Sequence, residues 1–289
     1  MQGDTTTVFA TALSCFYSRI PVGHVEAGLR SHDLQRPYPE ELNRRAAGIL
    51  ADLHFAPTNL ARENLLREGV PDERVFLTGN TVVDALGMVD LDGQFVDEQL
   101  ARIDFDRSRV LVVTAHRRES HGAPLRSICD ALAQLVTSFE DVEIAFPVHL
   151  NPRVRETVED VLAGIPRIHL LEPLRYDDML RAMSRSYLLL TDSGGVQEEA
   201  PTLRKPVLVM REVTERPEVV EAGAGEIVGT SQDSIVAAAS RLLLDPQAYA
   251  QMVGVANPFG DGHAAERIAD AIETRVKELS KTSSSLSAT

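Results

Sequence analysis

The segment from Tyr187 to Ala200, Y-L-L-L-T-D-S-G-G-V-Q-E-E-A, decides how the rest of the chain is read. It opens as an apolar run, Tyr187 to Leu190, short enough for a buried strand. It turns through Asp192-Ser193-Gly194-Gly195 into a helical pattern that Pro201 stops. Two glycines at a strand-to-helix turn let a ligand approach the backbone closely. The free N–H groups of the first helical turn then face that ligand. The helix dipole favours an anion there by about 0.3–1 kcal/mol. Ser193 adds a hydroxyl donor, and Glu199 stands one turn on, where a carboxylate can accept two ribose hydroxyls. The segment therefore reads as a site for a diphosphate carrying a sugar or nucleoside. The plainer alternative is a Gly-rich turn capped by Asp192 or Ser193.

Working outward, strands and helices alternate on both sides of this segment. Expected strands fall at Ile20–Val25, Leu53–Ala56, Arg74–Thr78, Val110–Thr114, Val142–Pro147, Arg167–Leu171, Pro206–Met210 and Gly225–Val228. Helical patterns separate them, among them Glu40–Leu50, Pro124–Phe139 and Tyr176–Arg185. Such alternation means parallel sheets covered on both faces, an α/β doubly wound architecture. Residues 1–81 form one block, 82–107 read as a linker and hinge, and 108–262 form a second block. A last helix is expected over 263–280, followed by a polar, disordered tail over 281–289.

The chain has 289 residues, 44% of them hydrophobic, enough for two domains with separate cores. No apolar run approaches the roughly 18 residues of a membrane span. Cys15 and Cys129 stand isolated in helical stretches, as small buried hydrophobes of a reducing cytoplasm do. The net charge of −14 argues against nonspecific binding to nucleic acid or anionic membranes. The basic residues are 26 Arg and 3 Lys. An acidic, Lys-poor surface suits a halophile's salt-rich cytoplasm, where screening weakens self-repulsion.

Four further stretches are too polar for their positions: Gly3-Asp4-Thr5, His24 to Arg30, Pro37 to Arg44 and Thr114 to Glu119. Ligands of doubly wound sheets bind beyond the carboxyl ends of the strands. Asp4, Glu26 and His116 stand at such ends and are expected to converge on an interdomain cleft. Carboxylates sharing a cleft repel one another, which suits some of them to acid–base work. The competing readings are a helix cap for Asp4, a first-turn acid for Glu40, an ion pair between Glu26 and Arg30, a solvated basic turn at His116-Arg117-Arg118, and a helix start at His149.

The motifs G-D-T, H-V-E-A-G-L-R, P-E-E-x-N-R, F-A-P-T, T-G-N-T-V-x-D, T-A-H-R-R-E, P-V-H-x-N-P, T-D-S-G-G-x-Q-E-E-A-P and V-x-R-x-x-T-E-R-P-E occur in this order. Together they resemble the non-hydrolysing UDP-N-acetylglucosamine 2-epimerases over nearly the whole chain. The resemblance implies two Rossmann-like domains arranged as in GT-B glycosyltransferases, with UDP held mainly by the second. It implies interconversion of UDP-GlcNAc and UDP-ManNAc by elimination of UDP to 2-acetamidoglucal and re-addition. Asp4, Glu26 and Glu40, with His116, match catalytic positions. His116, Arg117, Met179, Ser193, Gly194, Gly195, Glu199 and Arg216 match UDP-contacting ones. Arg117 and His149 match an activator site that takes a second UDP-GlcNAc in bacterial relatives. No cofactor or metal is implied, and a homodimer is one open arrangement.

Two departures stand out. Met179 replaces the Phe often found near the uracil. Relatives also carry strands and helices before the G-D-T stretch, so the first domain is expected to be incomplete. Two rival readings follow, a non-catalytic UDP-sugar-binding remnant and a hydrolysing epimerase that releases ManNAc and UDP.

Overall fold

The computed structural model describes residues 1–117 and 120–286, the side chains of 281–286 excepted. Arg118 and Glu119 of the T-A-H-R-R-E stretch, and residues 287–289 of the expected tail, lie outside the described residues. The chain divides into two compact units, Met1–Gly87 with Phe259–Thr289, and Met88–Pro258.

In the first unit, α1 (Thr6–Tyr17) starts where the Thr5 hydroxyl accepts the Val8 N–H. It is followed by β1 (Gly23–Val25), α2 (Glu40–Leu50), β2 (Leu53–Ala56), α3 (Asn59–Arg67), β3 (Val75–Leu77) and α4 (Thr81–Leu86). The strands form a parallel sheet in the order β1-β2-β3. Residues 1–3 run beside β1: Gln2 bridges Val25, and the Val25 N–H donates to the Met1 carbonyl at 2.9 Å. The strand end expected at Gly3-Asp4 is thus present as a short parallel pairing. The expected strand Ile20–Val25 is trimmed to its last three residues.

The second unit contains β4 (Arg109–Thr114), α5 (Ala123–Ser138), β5 (Val142–Pro147), α6 (Pro152–Leu162), β6 (Ile168–Leu171), α7 (Tyr176–Arg185), β7 (Leu188–Thr191), α8 (Gly194–Glu199), β8 (Val207–Val209), α9 (Pro217–Glu221), β9 (Gly225–Ile227), α10 (Gln232–Leu244) and α11 (Pro246–Val253). Its six parallel strands lie in the order β6-β5-β4-β7-β8-β9. The order reverses between β4 and β7, the topological switch point of a doubly wound fold. Val110 to Val113 are all buried, as a strand covered on both faces must be. On α5, Leu125, Ile128, Cys129, Leu132, Leu135 and Val136 recur at helical spacing and are fully or almost fully buried.

The last helix, α12 (Ala264–Leu286), belongs to the first unit, where Ala264 and Ala265 donate their N–H groups to Asp84. It extends past the expected boundary at 280 into the stretch expected to be a disordered tail. The stretch expected as linker, 82–107, is also different. Thr81–Leu86 is helical, capped by the Asn80 side chain, and residues from Met88 onward belong to the second unit. There the Asp178 carboxylate accepts the N–H groups of Val96 and Asp97, anchoring the stretch to α7.

Candidate functional site

The carboxyl ends of β4 and β7 lie side by side, with Thr114 paired to Thr191. Their hydroxyls are 2.5 Å apart, and the Asp192 N–H donates to the Thr114 carbonyl. The turn after β7 therefore meets the turn after β4 at the switch point. Asp192 is fully buried and does not cap α8. Its Oδ2 accepts the backbone N–H groups of His116 and Arg117 at 2.8 Å each, and its Oδ1 lies 3.2 Å from His116 Nδ1. Burial works against ionising this carboxylate, but His116 and the two N–H groups outweigh it and hold its pKa below the ordinary value. His116 in turn stacks on His149, with centroids 5.6 Å apart. His149 Nδ1 accepts the Asn151 N–H ahead of α6.

Ser193 is the residue before α8, and its side chain makes no capping bond. With six residues α8 has a small dipole, and the Arg216 guanidinium adds positive charge beside its first turn. That guanidinium lies across Gly194: a Cβ on Gly194 would sit 2.7 Å from Arg216 Cζ. Glycine is required here for close approach. Arg216 Nε donates to Glu198 at 2.7 Å and Nη1 to Glu215 at 2.6 Å. Glu215 also takes Arg211 at 2.7 Å and lies 3.4 Å from Arg117. Thr214, bonded to Gln197, accepts the Arg216 N–H.

Glu199, at the far end of α8, is 7% exposed. Burial pushes its pKa up to about 7, while the Tyr176 hydroxyl, donating at 3.1 Å, draws it back down. Met179 lies three residues beyond Tyr176 on α7, on the same helical face. Tyr176 connects the helix that carries Met179 to the carboxylate of Glu199.

In the first unit, Asp4 follows the segment paired with β1, and Glu26 follows β1 itself. Asp4 Oδ2 lies 2.8 Å from Arg44 Nη2, and the Asp4 carbonyl accepts the Asn43 amide. Glu40, Asn43 and Arg44 share one face of α2, so the face turned to Asp4 also carries Glu40. Glu40 Oε2 is shielded and has no hydrogen-bond partner. Its neighbour Glu41 is fully buried and holds the Ser31 and His32 N–H groups. Glu26 sits in the left-handed region at φ 64°, uncommon for a residue with a Cβ. Its Oε1 accepts the Asn80 amide at 3.2 Å, and its Oε2 lies 3.4 Å from a Cβ built on Gly3. The alternative ion pair between Glu26 and Arg30 does not form, because Arg30 pairs with Glu68 at 2.6 Å. Arg44, Asn80, Tyr176 and the anchoring role of Asp192 were not singled out from the sequence. Arg44 and Asn80 stand inside quoted motifs, which was the available signal.

The sequence model of the UDP-N-acetylglucosamine 2-epimerases matches residues 1–273, spanning both groups of residues. The chain belongs to that family. It is 50% identical over 280 residues to the UDP-N-acetylglucosamine 2-epimerase of Escherichia coli K12, covering 94% of this chain and 74% of the relative. A UDP co-structure of MnaA from S. aureus superposes with a TM-score of 0.92 at 45% identity, covering 96% of this chain and 75% of that one. The UDP-GlcNAc 2-epimerase of Neisseria meningitidis bound to UDP-GlcNAc gives a TM-score of 0.90 at 43% identity, covering 94% and 75%. The fold is that of the epimerase family, two α/β units with parallel sheets. Among the described residues, no group of three His, Cys, Asp or Glu is placed to hold a metal ion, and no helix is long and apolar enough to cross a membrane.

Proposed function

We propose that this epimerase-family chain interconverts UDP-GlcNAc and UDP-ManNAc by eliminating UDP and adding it back. The observation that carries the reading is the set Ser193, Gly194, Glu199 and Arg216 at the switch point, in a chain 43% identical to an enzyme solved with UDP-GlcNAc. The Ser193 hydroxyl, the N–H groups of Gly194 and Gly195 and the Arg216 guanidinium take the diphosphate. Glu199 accepts the ribose hydroxyls, and Met179 lies against the uracil. His116, held by Asp192, donates to the leaving phosphate. Arg117 and His149 take the second, activating UDP-GlcNAc, a role supported by the stacking of His149 on His116.

The C2–H of the sugar is weakly acidic, so its removal needs a positioned base and a stabilised leaving group. Glu26 and Asp4, with Glu40 on the facing surface of α2, form the acid–base set. Arg44 beside Asp4 balances the charge that three neighbouring carboxylates concentrate. Loss of the proton from C2 and of UDP from C1 yields 2-acetamidoglucal. Inversion follows when UDP returns to C1 and a proton is delivered to the other face of C2.

Product analysis tests the proposal. Incubation with UDP-GlcNAc is expected to give UDP-ManNAc with UDP retained in the nucleotide sugar. Accumulation of free ManNAc and UDP would replace it with the hydrolysing reaction. Binding of UDP without any product would reduce the chain to a UDP-sugar-binding protein.

A further inference from the structure

Glu199 poses a physical problem that its ligand role does not solve. A carboxylate that accepts hydroxyl groups must be ionised and must keep its lone pairs turned toward them. Glu199 is buried at the end of a short helix, where desolvation favours the neutral acid. The Arg216 guanidinium pairs with Glu198 and Glu215. Among the described residues, Tyr176 supplies the hydrogen bond to the Glu199 carboxylate, at 3.1 Å and from a different helix.

We propose that Tyr176 is a positioning residue for the nucleotide ribose: its hydroxyl, donated to Glu199 Oε1, holds that carboxylate in the orientation and charge state that accept the sugar hydroxyls. This rests on the reading that Glu199 binds ribose. The chemistry suits the task. Burial and the neighbouring Glu199 push the Tyr176 hydroxyl well above its ordinary pKa, so it stays a donor through the physiological range. One carboxylate oxygen can accept the phenol and still offer a lone pair, and the other stays available. Tyr176 is 47% exposed, so removal of its hydroxyl leaves little buried surface to repack.

The test is calorimetry of UDP and of 2′,3′-dideoxy-UDP from pH 6 to 9, on the parent chain, Tyr176→Phe and Glu199→Gln. For the parent, UDP affinity should fall as pH drops through about 7, the pKa to which burial raises Glu199. In Tyr176→Phe that midpoint should move up by about one pH unit, giving on the order of fivefold weaker UDP binding at pH 7, approaching tenfold at pH 6, and near convergence with the parent at pH 9. Dideoxy-UDP should bind parent and Tyr176→Phe alike at every pH. An unmoved midpoint in Tyr176→Phe, or a loss equal at all pH values and for both ligands, would overturn the proposal. The ribose reading fails separately if Glu199→Gln keeps the parent's affinity and its preference for UDP over dideoxy-UDP.

Discussion

Asp192 holds His116 at two points, accepting its backbone N–H at 2.8 Å and lying 3.2 Å from its ring Nδ1. The imidazole's direction is thereby set by the turn after β7, the same turn that is proposed to take the diphosphate. Asp192→Asn keeps the shape but places an amide where a carboxylate accepts several donors. Hydrogen bonds to a charged group contribute roughly 1.5–3 kcal/mol each, so a loss of about 3 kcal/mol is expected in urea unfolding at pH 7. The Asp192 pKa is depressed in the folded chain, so its contribution is present above the unfolded carboxylate value and is lost as pH falls through the folded one. The difference between parent and variant should therefore shrink below about pH 4.

Gly194→Ala tests the close approach of Arg216. The new methyl would lie within 3.0 Å of three guanidinium atoms, which pair with buried glutamates and have little room to move. Loss of the Arg216 position should weaken UDP binding by tenfold or more, about 1.4 kcal/mol, measured by calorimetry. Retention of parental affinity would show that Arg216 does not contact the diphosphate.

Glu26→Gln separates proton transfer from nucleotide binding. The amide keeps the size and can still meet Asn80 but cannot shuttle a proton. Deuterium incorporation at C2 should fall by about 10²–10⁴-fold, with UDP affinity nearly unchanged. Undiminished exchange would remove Glu26 from the acid–base set.

His54 predicts an acid-sensitive first unit. It is 1% exposed, pairs in register with His24 across β1 and β2, and burial lowers its pKa to about 4. A histidine depressed in the folded state contributes stability above its unfolded value near 6.5, and this is lost as pH falls toward 4. His54→Phe should flatten the stability profile in that window, by up to about 3 kcal/mol. Denaturant melts at pH 7 and 5 give the comparison.

Salt should raise the melting temperature. At a net charge of −14, self-repulsion is long-ranged at low ionic strength and screened within about 3 Å at molar KCl. A flat calorimetric profile from low to molar KCl would remove the halophilic meaning of the composition.

Much of the architecture was readable because apolar periodicity and turn residues marked it. Helix α2, strands β2 and β5, and helix α7 occupy the residues expected. The short helices α4 and α9, of six and five residues, were not, since too few turns exist to display a period. The strand–turn–helix after Leu188 was legible because Asp192 to Gly195 compress strand end, turn and helix start into a few residues. The contact of Tyr176 with Glu199 was not, being made between two helices with no sequence link. Asp192 looked like a cap because a single sequence shows its neighbours along the chain, whereas its partners sit after β4.

The first unit is assembled from two stretches, residues 1–87 and 259 onward, with the entire second unit between them. During synthesis, Asp84 waits for the N–H groups of Ala264 and Ala265 until more than half of the chain has been added. The second unit can complete its sheet on the ribosome as soon as β9 and α10 emerge. The unit that carries Asp4, Glu26 and Glu40 has to close last. A chain cut before α12 would keep the turn after β7 and all three strands of the first sheet, but would leave Asp84 without the N–H groups of Ala264 and Ala265.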